Sequence, residues 1–168
     1  MLLGWSSLLS SGLVLASIAI LLAAALHDIV ARTVPNWMAA TLAALGLVLQ
    51  VLHGHPLTGL AAGLAVFMVA AFCWRRGWLG GGDVKLLGAA AIAVPPGDVV
   101  NFIVAVTLTG AALALAYLAA GRITAAPKAQ RPARLAARAV RVERWRIRRG
   151  GPLPYACAIA AGFLFIIL

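Results

Sequence analysis

Negative charge is nearly missing from this sequence. Of 168 residues only four are acidic, Asp28, Asp83, Asp98 and Glu143, and charged residues of both signs make up 11% of the chain, where about 25% is usual in soluble domains. Cysteine is equally scarce: Cys73 and Cys157 stand far apart, which excludes a disulfide framework and a CxxC metal pair. His53 and His55 stand without a third ligand for a zinc centre and His27 reads as a bystander beside Asp28, so neither a metal nor another cofactor is expected. What fills the chain instead is apolar: 64% of residues are hydrophobic and the mean hydropathy is +1.02. This rules out a soluble globular domain, a disordered chain and a disulfide-stapled module. An integral membrane protein of one domain, residues 1–168, is expected.

Measured against about 20 residues per crossing, six apolar segments stand out at Leu8–Leu26, Trp37–Leu52, Leu57–Trp74, Val84–Val94, Val99–Ala120 and Leu153–Leu168. Alanine and leucine dominate and no two-residue alternation occurs, so the expected fold is all-α and polytopic. The fourth segment is too short to cross comfortably and stops at Pro95-Pro96, which calls for a protein-lined setting. Gly59 and Gly63 form a GxxxG pair suited to close helix packing. The first segment has no cation before its apolar run and reads as a retained helix rather than a signal peptide.

Six crossings sort the connections into two sets. His27–Asn36, Arg75–Asp83 and Gly121–Pro152, with Lys85 at the border, hold all 14 cations. The N-terminus, His53–Pro56 and Pro95–Asp98 hold none. The positive-inside rule therefore predicts the first set in the cytoplasm and both termini on the outer side. The tryptophans Trp5, Trp37, Trp74 and Trp78 fall at segment ends, as interfacial residues do.

Ten of the 14 cations lie between Arg122 and Arg149, so the basic character belongs to one cytoplasmic loop, 121–152. Within it Arg134, Arg138, Arg141 and Arg148 recur at helical spacing between 133 and 149, opposite Leu135, Ala139, Val142 and Trp145. Such a helix suits the anionic inner leaflet; a solvated loop that only fixes topology is the plainer reading. No aromatic stacking platform accompanies the arginines, so nucleic acid is not the expected partner.

With acids this rare, each one needs a reason. Asp98, in a Pro-Pro-Gly-Asp turn, is expected to cap the fifth helix. Glu143, among arginines, is expected to be a solvated partner of Arg138 or Arg146. Asp28, at the last turn of the first helix, is placed badly for the helix dipole. Its bland reading is an exposed carboxylate beside Arg32, with Asn36 as N-cap of the next helix. Asp83 closes Gly80-Gly81-Gly82-Asp83 and would by itself be read as an N-cap. Three glycines in a row, however, allow a second backbone to come close to that carboxylate. Both acids fall at cytoplasmic segment ends, hence at similar depth. Two carboxylates sharing a proton can activate water against a peptide carbonyl without a metal.

These residues resemble the type IV prepilin peptidases, membrane aspartic proteases with a Gly-x-Gly-Asp motif, and in particular the short form associated with Flp/Tad pili. Asp28 with Val34-Pro35-Asn36 is similar to the family's first aspartate and its Ile-Pro-Asn element. Gly80-Gly81-Gly82-Asp83-Val84-Lys85 matches the second aspartate motif, and Pro152-Leu153-Pro154-Tyr155 looks like the Pro-Tyr element opening the last helix. The resemblance implies that Asp28 and Asp83 are the catalytic pair. It further implies that Gly80, Gly81, Gly82, Lys85, Pro35, Asn36, Pro154 and Tyr155 shape the site or meet substrate. The implied substrate is a pilin-like precursor with a short basic leader before a hydrophobic N-terminal helix, cut at the cytoplasmic face of a bacterial inner membrane. Pilus assembly machinery is a further implied partner. Without paired cysteines or a glycine-rich cofactor loop, peptidase activity is expected and methylation is not. Lys85 or Arg32 is expected to attract the acid near the start of the mature pilin. Two other readings compete with it. A proton-coupled transporter would place its acids deep inside spans, and a non-catalytic pilus or secretion assembly protein leaves Gly80–Asp83 unexplained.

Overall fold

The computed structural model describes residues 2–123 and 135–168. Among these the chain is helical, with no strand: α1 (Leu2–Ala31), α2 (Asn36–Leu52), α3 (Pro56–Arg75), α4 (Gly81–Ala93), α5 (Val99–Ile123), α6 (Leu135–Arg148) and α7 (Tyr155–Ile167), with a single 3-10 turn at Pro96–Asp98. Three helices are long and apolar enough to cross a membrane, within Ser7–Ala31, Pro56–Arg75 and Pro96–Ile123, and α2 and α7 are shorter apolar helices. Their outward faces carry exposed leucine, valine and phenylalanine, including Leu15, Leu64, Leu108 and Phe165. In water such a surface would be severely penalised; in hydrocarbon it is the solvated one. This is a multi-pass membrane protein.

The short fourth segment sits at the centre of the bundle. α4 packs against α2, α3 and α7, and Val84, Leu86, Ala89, Ala90, Ala91 and Ala93 are buried. At ~1.5 Å per residue a 13-residue helix spans only about 20 Å. Surrounding protein, not lipid, covers its ends. Small residues make the approach possible. A Cβ on Gly46 of α2 would stand 2.7 Å from the backbone nitrogen of Ala93, and one on Gly63 of α3 would stand 2.2 Å from Ile92 Cγ1. The GxxxG pair thus does pack helices, with Gly59 against Gln50 of α2 and Gly63 against α4.

Where α4 stops at Pro95, its last carbonyls need donors. Gln50, buried within α2, supplies both: its Nε2 donates to the carbonyls of Ile92 (2.9 Å) and Val94 (2.8 Å). Beyond that end, Asp98 accepts from the side-chain amide of Asn101 at 3.4 Å. On the other side α5 and α7 pack together through the edge-to-face pair Phe102 and Phe163, and Thr109 Oγ1 donates to the Ala158 carbonyl. The end of α1, the start of α2, the start of α4 and the start of α7 meet at one pole of the bundle, and α6 packs beside them against α5 and α1.

Candidate active site

The site is assembled from four helix termini. α1 ends at Ala31, and Arg32 then takes a left-handed backbone, φ 56, an uncommon conformation for a residue with a side chain. The turn closes with the Arg32 N–H donating to the Asp28 carbonyl at 2.9 Å, and His27 Nδ1 pairs with the Thr33 carbonyl at 2.6 Å. It delivers Val34 against the glycine run. A Cβ on Gly82 would lie 3.2 Å from Val34 Cβ and 3.3 Å from the Val34 nitrogen, so a glycine at 82 lets the two segments touch.

The sequence expectations for capping need correction here. Asn36 is the first residue of α2, whose N-cap is Pro35, and no side chain caps that end. Its Oδ1 is instead held by Lys85 Nζ at 2.8 Å, linking α2 to α4. Asp83 is not the N-cap of α4 either. Gly80 is, and Asp83 is the third helical residue. From that position its carboxylate folds back to accept from the Gly80 N–H, the reach-back of a capping box. A Cβ on Gly80 would stand 2.7 Å from Asp83 Oδ2. Gly81 has more room, with Trp74 Nε1 at 3.4 Å from the position its Cβ would take.

Asp28 is not an exposed carboxylate beside Arg32. It is 6% exposed, and its Oδ2 accepts from the backbone N–H of Ala156 at 3.3 Å. Ala156 is in the first turn of α7, directly after the fully buried Pro154 and the half-buried Tyr155. The Ala156 N–H and the positive dipole end of α7 therefore face a carboxylate placed unfavourably at the end of its own helix. Asp83 lies near enough for the Asp28 charge to act on it, and Arg32 acts on both. Tyr155 packs on α5, its ring 2.8 Å from where a Cβ on Gly110 would lie, and it stands within electrostatic reach of Asp83. Of the residues singled out from the sequence, Asp28, Asp83, Gly80, Gly81, Gly82, Lys85, Asn36 and Tyr155 each have a definite neighbour here, while Pro35 and Pro154 precede the helices α2 and α7.

Reading from sequence missed a second group. Glu143 of α6 pairs with Arg146, as expected, but its side chain is only 15% exposed rather than solvated. Its Oε1 accepts from Arg32 Nη2 and from the Tyr117 hydroxyl of α5, and its Oε2 accepts from Arg146 at 3.3 Å. Burial pushes the Glu143 carboxyl up, but the bonds from Tyr117, Arg32 and Arg146 outweigh it and hold the group below its ordinary range. Arg146 also donates to the carbonyls of Ile29 (2.9 Å) and Val30 (3.4 Å) in the last turn of α1. The inner face of α6 is therefore Glu143, Arg146 and Ile147, while the expected apolar counter-face residues Val142 and Trp145 are exposed. Residues 133 and 134 of the expected helix lie outside the described residues. The one available signal was the rarity of acids.

An apolar cavity of about 480 Å³ adjoins the pole. α3 contributes Val66, Val69 and Cys73, the segment before the glycines contributes Trp78 and Leu79, and Leu87 and Tyr155 complete it.

At this pole the bundle sets the buried Asp28 within electrostatic reach of Asp83, with glycine allowing the segments around them to approach closely. The sequence matches the type IV leader peptidase family over residues 15–115, and the chain belongs to that family. The match spans Asp28, the Val34-Pro35-Asn36 element and the whole glycine motif through Lys85, and ends before α6 and Pro154-Tyr155. No curated protein and no solved structure matches the chain. Family membership makes it a protease and implies pilin precursors as substrates.

Proposed function

We propose that the chain is a prepilin leader peptidase that removes the short basic leader from Flp-like pilin precursors at the cytoplasmic face of the bacterial inner membrane, with Asp28 and Asp83 as its catalytic dyad. The observation that carries this reading is the meeting of two of the four acids at one pole, each backed by a backbone N–H, that of Ala156 or Gly80. Two carboxylates brought together at one site share one proton. The ionised carboxylate takes a proton from water as the oxygen adds to the scissile carbonyl carbon. The protonated carboxyl gives its proton to the carbonyl oxygen, forming a neutral gem-diol. Collapse of the diol breaks the C–N bond, a proton passes to the departing nitrogen, and leader acid and mature amine are released. The dyad titrates as a unit, so the roles belong to the pair.

The apolar cavity beside Trp78, Leu79 and Tyr155 supplies a berth for the hydrophobic start of the mature pilin, with the leader running toward the basic pole. Lys85, exposed and held by Asn36, and Arg32 provide positive charge for the acid near the mature start. Exposed Arg138, Arg144, Arg148 and Arg149, interleaved with exposed Val142 and Trp145, suit α6 to an anionic inner leaflet. Docking of pilus assembly components falls to the same cytoplasmic surface. The test is co-expression with precursors that carry a basic leader before an apolar helix, read by gel shift and by the N-terminal mass of the product. Cleavage at the leader–helix junction is expected. A wild-type chain, present in the membrane, that cuts none of them would defeat the reading.

A further inference from the structure

We propose that Glu143 is a positioning residue for the dyad, locking α6 of the basic loop onto the end of α1 that carries Asp28; this rests on the peptidase reading above. The geometry is a four-residue hub. One carboxylate accepts from Arg32 at the end of α1, Tyr117 of α5 and Arg146 of its own helix. Arg146 then reaches on to the carbonyls of Ile29 and Val30, the residues next to Asp28. Both ends of the α1 terminus are thereby held, the backbone by Arg146 and the Arg32 side chain by Glu143.

The hub is costly unless complete. The Arg32 side chain is 11% exposed, its Nε and Nη1 are buried with no hydrogen-bond partner, and its backbone is left-handed. A guanidinium in that position depends on Glu143 for its compensating charge, and removing one member of such a pair leaves an uncompensated buried cation. Among the described residues, α6 is tied to residues 28–32 by the Arg32–Glu143 pair and by the Arg146 bonds to Ile29 and Val30. Glu143 also sets the local field. Asp28 is faced by Arg32 from its own chain end, by Glu143 and Arg146 from α6, by Asp83 from α4 and by the Cys157 thiol from α7. Tyr117 of α5 bonds to Glu143, Tyr155 of α7 faces Asp83 near Cys73 of α3, and His27 is occupied by Thr33. Lys85 of α4 is occupied by Asn36 of α2. Deleting the Glu143 charge tips this balance toward the cations and favours ionised aspartates.

The full-length chain in detergent, with a cleavable precursor, allows the test. Glu143→Gln should lower kcat about tenfold through lost alignment, with KM nearly unchanged. The acid limb of its pH–rate profile should move down by about one unit as the uncompensated cations favour carboxylate. Glu143→Asp, which keeps the charge, should recover most of both. A merely structural role would reduce the amount of folded enzyme and leave the pH profile in place. Hydrogen–deuterium exchange supplies an arm independent of activity: Glu143→Gln should raise exchange at 28–32 and 135–148 together. Wild-type kcat and pH profile in Glu143→Gln, or unchanged exchange at 28–32, would overturn the proposal. Failure of the wild type to cleave any precursor defeats the peptidase reading instead, and the exchange result still decides whether Glu143 holds the α1 terminus.

Discussion

Gly80 and Gly82 do different work, although they flank a single residue. At 82 the missing side chain lets Val34 approach, and at 80 it leaves the Asp83 carboxylate room to turn back on its own helix start. Gly80→Ala places a methyl 2.7 Å from Asp83 Oδ2, so the carboxylate must rotate away. Displacement of about 1 Å is enough to lose roughly 100-fold in rate. We expect a loss of 10- to 100-fold, by the same reasoning, in a chain that inserts and accumulates normally, measured as kcat on a pilin precursor. Of the residues gathered at this pole, the two aspartates and the glycine run stood out in the sequence because each is chemically out of place in an apolar chain, whereas Pro35 and Asn36 entered only through the family resemblance. Asn36 was misread as a cap because propensity cannot reveal that Lys85, 49 positions away, competes for its oxygen.

At the scale of elements, boundaries followed the apolar runs closely, and the expectation that the short fourth segment needs a protein-lined setting is met by α4. The reason α4 can end where it does was hidden. Gln50 sits inside an apolar run, and its partners are 42 and 44 residues on. Gln50→Leu would leave the carbonyls of Ile92 and Val94 without their donor, at about 1–3 kcal/mol for such buried groups. A lower midpoint of thermal unfolding in detergent, with insertion intact, would show it. The docking of α6 carries its own pH signature. Glu143 has its folded pKa depressed below 4.5, so its contribution is fully present above the unfolded value and is lost as pH falls through the folded one. Exchange protection across 135–148 should therefore hold from pH 8 down to about 4.5 and fall only below it. Loss of protection between pH 5 and 7 would point to a different group.

For the whole molecule, asymmetry of charge is the organising fact. The ends of α1, α2, α4 and α7 that meet at the site share one pole with the inner face of α6, and the connections at 27–36 and 75–83, predicted to face the cytoplasm, lie there. The opposite pole, with His53–Pro56 and Pro95–Asp98, carries no cation. Single cysteines placed at 54 and at 77, in a background lacking Cys73 and Cys157, should label in opposite compartments: 54 from outside intact cells, 77 only after permeabilisation. Labelling of both from the same side would refute the orientation. That acids 55 residues apart in sequence come together was an inference from similar depth, which hydropathy carries well. That Glu143 is tied to Arg32 across 111 residues was not legible, because a pairing partner among so many arginines is chosen by the fold.

The most direct test of the central claim is leader removal by Asp28→Asn and Asp83→Asn, each present in the membrane at the wild-type level, beside a wild type that cleaves. The substitutions keep size and remove the titrating proton. A shared-proton dyad predicts that both variants lose cleavage to background, since neither carboxylate alone can both activate water and protonate the carbonyl oxygen. Cleavage retained at the same junction by either variant would contradict the aspartic mechanism.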